Sequence, residues 1–214
     1  MQERRLSAID RLFSGIDSVL RNIAAPTARP TRPNPADAVA EVPLSAGERR
    51  HSAGLMRVNH AGEIAAQGLY QGHAAVARTA AIADHMQAAA DEELDHLGWC
   101  EQRLTELGAT PSRLRPFWYA SSWAIGAMSG LLGDRWSLGF VEETERQVEE
   151  HLSGHLGRLP AGDARSRAIV ERMRVEEQGH GARAKELGAQ KLPSVVRRLM
   201  RMSAKVLTQT SYRI

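Results

Sequence analysis

Glu-x-x-His occurs twice in this chain, at Glu93–His96 and at Glu177–His180, and each copy has a single acidic candidate at a similar distance upstream, Glu63 and Glu145. Positions i and i+3 of an α-helix lie about 60° apart around the axis, so the Glu and His of each pair share one face. Two such pairs, with one further Glu from each of two other helices, make the ligand set of a dinuclear carboxylate site inside a four-helix bundle. Four carboxylates in a helical core are strongly unfavourable unless cations sit among them. Two divalent cations would balance them, and mixed carboxylate and imidazole donors suit iron or manganese while leaving positions open for oxygen. The single cysteine, Cys100, weakens a zinc reading. The chemistry implied is reaction with dioxygen or peroxide. One Glu-x-x-His on a solvated helix is commonplace; its doubling, with a doubled upstream Glu, is specific.

Spacing alone leaves the third ligand helix open. Glu142, Glu145 and Glu149 share a face there, whereas Glu143 and Glu150 lie elsewhere. His151 and His155 follow at i+4 spacing, and one of them is expected to orient a ligand carboxylate from behind, direct metal binding being the alternative. His60 either supports Glu63 or simply packs, and His51, His73 and His85 are expected at the surface or in the core. Asp91, Glu92 and Asp95 point away from the Glu93–His96 face, as solvated groups or partners behind the ligands. Glu176 neighbours Glu177 but has no His at i+3.

The elements that must carry these residues are helical. Ser45-Ala-Gly-Glu48 has capping-box spacing. A first helix runs from there through Leu55, Val58, Ile64, Leu69 and Val76, and a second from about Ala81 to Leu107, closed by Gly108 and Pro111. Residues 116–133 form an uncharged apolar run that includes Phe117, Trp118, Tyr119, Trp123 and Met128. A third bundle helix follows from Asp134 to about Leu159, stopped by Pro160. A fourth is capped by Asp163 and stopped by Gly188. A basic amphipathic helix follows Pro193. Ahead of all this, residues 1–25 hold an amphipathic helix and residues 26–44 a Pro-rich linker, so residues 45–214 are expected to be the metal-binding domain. No strand alternation is evident.

With 214 residues, 43% hydrophobic and 25% charged, the chain suits one domain with appendages. A net charge of +3 is too weak to argue for a nucleic-acid partner. A single cysteine rules out an intrachain disulfide. No segment offers about 18 clean apolar residues for a spanning helix.

The segments LMRVNHAGEIAAQGLY (55–70), EELDH (92–96), GLLGDRWSLGFVEETERQVEEHL (130–152) and RVEEQGH (174–180) resemble the Coq7 family of demethoxyubiquinol hydroxylases. The resemblance covers about residues 48–214 and implies an all-α, ferritin-like four-helix bundle, with an apolar helical insertion between two helical hairpins and a C-terminal amphipathic helix. It implies that Glu63, Glu93 and His96 ligate one iron and that Glu145, Glu177 and His180 ligate the other, with Glu93 and Glu177 bridging. It thereby selects Glu145 over Glu142 and Glu149. The implied reaction is O₂-dependent monooxygenation of a polyprenylated quinol, 2-polyprenyl-3-methyl-6-methoxy-1,4-benzoquinol, in ubiquinone biosynthesis.

Two electrons per cycle have to come from the quinol, a nicotinamide or a donor protein. Any NADH would bind without a Rossmann domain, because no Gly-rich fingerprint follows a strand. A long apolar substrate tail requires work at a bilayer, so the 116–133 run is expected to dock there through its Trp and Tyr, a buried core helix or subunit contact being the competing reading. With no transit peptide or cleavable signal evident and an Arg- and Ala-rich bias, the expected location is peripheral, on the cytoplasmic side of a bacterial inner membrane, among other ubiquinone-biosynthesis proteins. The competing functions are ferritin-like iron storage and peroxide scavenging; both would use the same ligands.

Overall fold

Capping residues fix where the helices begin. The Ser45 side chain accepts from the Glu48 backbone N–H while Glu48 reaches back to the Ser45 N–H, and this box starts α1 (Ala46–Val76). Thr79 caps α2 (Ala80–Glu106), and Asp163 caps α5 (Ala164–Glu186) by accepting from the Ser166 N–H. Between them lie α3 (Arg115–Leu131) and α4 (Asp134–Arg158), and α6 (Ser194–Ser211) ends the chain. Gly108 and Gly188 close α2 and α5 with φ of 70° and 96°, the left-handed conformation that the sequence requires at both stops. The structure, a computed structural model, describes residues 30–214; the amphipathic helix expected over residues 1–25 lies outside that range. Among the described residues there are six α-helices, one 3-10 turn (Pro35–Ala38) and no strand.

The architecture is all-α and ferritin-like. Helices α1 and α2 pack as one hairpin and α4 and α5 as the other. Two apolar clusters build the core. One gathers Leu55 and Met56 from α1, Trp99, Cys100 and Leu104 from α2, Leu152 from α4 and Ile169, Val170 and Met173 from α5. The other gathers Tyr70, Met86, Ala89, Ala90, Leu138, Val141 and Ala184. On every bundle helix the candidate ligands fall between a residue of one cluster and a residue of the other, so a polar belt crosses the middle of the bundle with hydrocarbon on both sides.

Helix α3 lies against α1 at very close range. A Cβ at Gly72 would collide with the Trp123 carbonyl oxygen, one at Gly68 would come within 2.5 Å of the Tyr119 carbonyl oxygen, and one at Gly126 would strike the Leu69 carbonyl oxygen. Glycine is what lets two helix backbones approach this closely. The outward face of α3 differs from the expectation. Trp118 and Tyr119 are buried against the bundle, while Phe117, Ile125, Met128, Leu131 and the following Leu132 are exposed. From Pro30 to the start of α1, the Pro-rich stretch lies along the bundle, burying Ala36 and Asn34.

Candidate metal centre

Glu63 comes from α1, Glu93 and His96 from α2, Glu145 from α4, and Glu177 and His180 from α5. The bundle brings all six together, and none is more than 3% exposed. Their donor atoms fall into two groups, each with all members within 4.8 Å of one another: Glu63, Glu93, His96 and Glu177; and Glu145, Glu177 and His180.

The geometry is nearly two-fold symmetric. His96 Nδ1 lies 2.9 Å from Glu93 Oε2, 3.4 Å from Glu177 Oε1 and 3.5 Å from Glu63 Oε2. His180 Nδ1 lies 3.2 Å from Glu177 Oε2 and 3.3 Å from Glu93 Oε1. Glu93 and Glu177 therefore each face both imidazoles, the position a bridging carboxylate needs. The outer nitrogens are held crosswise. His96 Nε2 donates to Glu176 at 2.7 Å, and His180 Nε2 donates to Glu92 at 2.7 Å. A carboxylate can only accept, so each outer nitrogen carries its proton and each Nδ1 faces the centre.

Electrostatics show that the set wants positive charge. Burial pushes Glu63 well up, reinforced by Glu93, and pushes Glu145 well up, reinforced by Glu177. Glu93 and Glu177 suffer the same burial, yet both are drawn down. Burial is the largest influence on each, but at Glu93 the His96 charge together with hydrogen bonds from His180 and His96 overcomes it, and at Glu177 hydrogen bonds from His180 and His96 with the His96 charge overcome burial and Glu93 repulsion. Burial opposes protonation of the imidazoles, but Glu93 and its neighbours hold His96 well above the usual range. Bonds to Glu177 and Glu93 raise His180 to about 12 against the same burial. The contact of His180 Nδ1 with Glu93 Oε1, at 3.3 Å, is too poorly aligned for a good hydrogen bond. Four buried carboxylates and two inward imidazole nitrogens are a donor set that fits a pair of divalent cations.

The two histidines after Glu145 stand elsewhere than expected. Neither His151 nor His155 stands behind a ligand carboxylate. Their rings lie 3.9 Å apart in a separate cavity with Arg158, Thr208, Gln209 and Tyr212. His151 is six residues past Glu145, about 240° around the helix, and faces away from the centre. Glu145 is supported instead by Tyr70, whose buried hydroxyl donates to Glu145 Oε1 at 2.5 Å. Tyr70 follows Glu63 by two helical turns on the same face, a signal that periodicity offered. Glu149 bonds Gln178 away from the centre, and Glu143 is taken up by Arg146 and Gln147. His60 turns to Glu101, and His73 is a core group bonded to Ser137. Asp95 is buried and grips Thr31 and Arg32.

A family model described as "Ubiquinone biosynthesis protein COQ7" matches residues 50–211. The chain belongs to this family. Among its curated COQ7-type relatives, the "3-demethoxyubiquinol 3-hydroxylase" of Chromobacterium violaceum is 52% identical over 206 residues, 96% of this chain and all of that protein. The proteins of that name from Cupriavidus taiwanensis and Legionella pneumophila are 55% and 51% identical, covering 96% and 99% of this chain and all of each relative. All six candidate ligands fall within the COQ7 match, whereas Thr31 and Arg32, which grip Asp95, precede it.

Proposed function

We propose that this chain is a 3-demethoxyubiquinol 3-hydroxylase, an O₂-dependent di-iron monooxygenase acting on a polyprenylated demethoxybenzoquinol in ubiquinone biosynthesis. The observation that carries the reading is the pair of buried donor groups sharing Glu177 in a COQ7-family chain. Iron storage and peroxide scavenging are not favoured, because the full-length relatives are named as hydroxylases.

In this reading Glu63, Glu93 and His96 would hold one iron and Glu145, Glu177 and His180 the other, with Glu93 and Glu177 each facing both imidazoles. The bound irons would supply dioxygen activation and electron transfer. The chain supplies the rest. Glu176 and Glu92 fix the proton on each outer imidazole nitrogen and so keep Nδ1 turned inward. Tyr70 holds one Glu145 oxygen in place. The apolar clusters on either side keep bulk water from the belt, which strengthens every charge interaction inside it.

The apolar tail of the substrate places the work at a bilayer surface. No helix among the described residues is long and apolar enough to cross a membrane. Peripheral contact would use Phe117, Ile125, Met128 and Leu131 on α3, and the stripe Val195, Leu199, Met202 and Val206 on α6, exposed beside Arg198, Arg201 and Lys205. Such an apolar face with basic flanks suits an anionic lipid surface, here the cytoplasmic side of a bacterial inner membrane. The test joins metal analysis to product identification with purified protein, a demethoxyquinol and air. Glu177→Gln is expected to lose both metal and hydroxylated product; full iron occupancy in that variant would contradict the assignment.

A further inference from the structure

The two imidazoles are treated unequally from outside the bundle. Glu92, which holds His180, has a side chain 40% exposed, and its other partner is Arg183 at 3.4 Å. Glu176, which holds His96, is only 13% exposed. Arg32 grips it with a fork, Nη1 donating to Oε1 at 2.6 Å and Nη2 to Oε2 at 3.1 Å, and Arg172 adds a more exposed contact at 2.6 Å. The same Arg32 donates through Nε to Asp95, one residue before His96. Its guanidinium lies 5.0 Å from the centre of the Trp99 ring, and that ring lies 5.3 Å from His96. The arm is seated by its neighbours. The Thr31 N–H donates to Asp95 at 2.5 Å, and Pro30 packs where Gly98 has no side chain. One planar cation thus ties Glu176 on α5, Asp95 on α2 and the Trp99 ring into a single bracket around His96. Nothing equivalent braces His180 among the described residues.

We propose that Arg32, which precedes the family match, is a positioning residue for one metal site and not for the other. By fixing Glu176 it fixes the His96 imidazole, so the cation held by Glu63, Glu93 and His96 is bound more tightly than the one held by Glu145 and His180. This rests on the two-metal reading above. Loss of a partner that orients a ligating histidine typically costs 10–100-fold in metal affinity. Lysine cannot replace the fork, because an ammonium offers no planar pair of donors to span two carboxylates.

The test is anaerobic titration of the full-length protein with ⁵⁷Fe(II), followed by Mössbauer spectroscopy, which reads the two sites separately. The wild type should fill two sites in sequence, giving two resolved quadrupole doublets. In Arg32→Gln the first-filled site should weaken about 10–100-fold, so that the two fill together or in reversed order. Glu176→Gln, which leaves the arm its Asp95 anchor, should do the same, and Arg32→Lys should fall between. Arg183→Gln should leave the first-filled site unchanged. The proposal is overturned if Arg32→Gln and Glu176→Gln both keep wild-type order and affinities. It is equally overturned if Arg32→Gln weakens both sites alike while lowering the melting temperature, which is what a merely structural arm would do. A wild type that takes up no iron would bring down the two-metal reading first and this inference with it.

Discussion

The α1–α2 hairpin and the α4–α5 hairpin deliver matching donors, one Glu and one Glu-x-x-His each, but they differ in what surrounds those donors. α1 devotes its outer face to α3, with glycines at the contact. α4 carries Gly154, where a Cβ would meet nothing within 4 Å. Glu145 has a tyrosine hydroxyl on it, whereas the neighbours that act most on Glu63 are the ligands Glu93, His96 and Glu177. The centre therefore depends on donor type and spacing, while the surroundings of each hairpin answer to what packs on it.

The largest expected effect lies at the helix contact. Gly72→Leu forces a side chain into the Trp123 backbone and should cost about 3 kcal/mol of stability, measured by chemical denaturation; an unchanged midpoint would mean that α3 does not depend on α1. Next comes pH, which tests whether the two hairpins behave alike. His96 and His180 hold protons far above the usual imidazole range. A cation must displace those protons, so metal affinity should rise with pH across neutrality, about tenfold per pH unit for each proton released. A pH-independent affinity in calorimetric titration would remove the imidazoles from the ligand set. Tyr70→Phe breaks only the bond to Glu145 and should cost about 1 kcal/mol, read as weaker metal binding confined to the Glu145 side; equal weakening of both sites would deny the asymmetry. Smallest is Gly154→Ala, expected to raise stability by about 0.5–1 kcal/mol because the added methyl meets no atom and stiffens the unfolded chain.

What the sequence revealed followed from short-range physics. Helix starts at Ser45 and Asp163 were legible because the cap is written within a few residues of the helix it opens. Four of the six central residues, Glu93, His96, Glu177 and His180, were legible because Glu-x-x-His fixes a face by itself. Glu145 was separable from Glu142 and Glu149 only through the family resemblance, since all three share a face. Tyr70 lies on the Glu63 face, but its partner Glu145 is distant in sequence, so its role was not legible locally. Arg32 offered no local signal, because its partner Glu176 is distant in sequence and its own backbone is irregular. The inward turn of Trp118 was not legible from tryptophan's usual place at interfaces; the glycine spacing on α1 and α3 decides it.

The crosswise hold on the imidazoles has a consequence for the chain as a whole. His96 from the first hairpin relies on Glu176 from the second, and His180 relies in turn on Glu92. Severed between α3 and α4, each fragment would keep its histidine but surrender the carboxylate that aims it. Reunion of the pieces, rather than the folding of either, would be the event that recreates a competent centre.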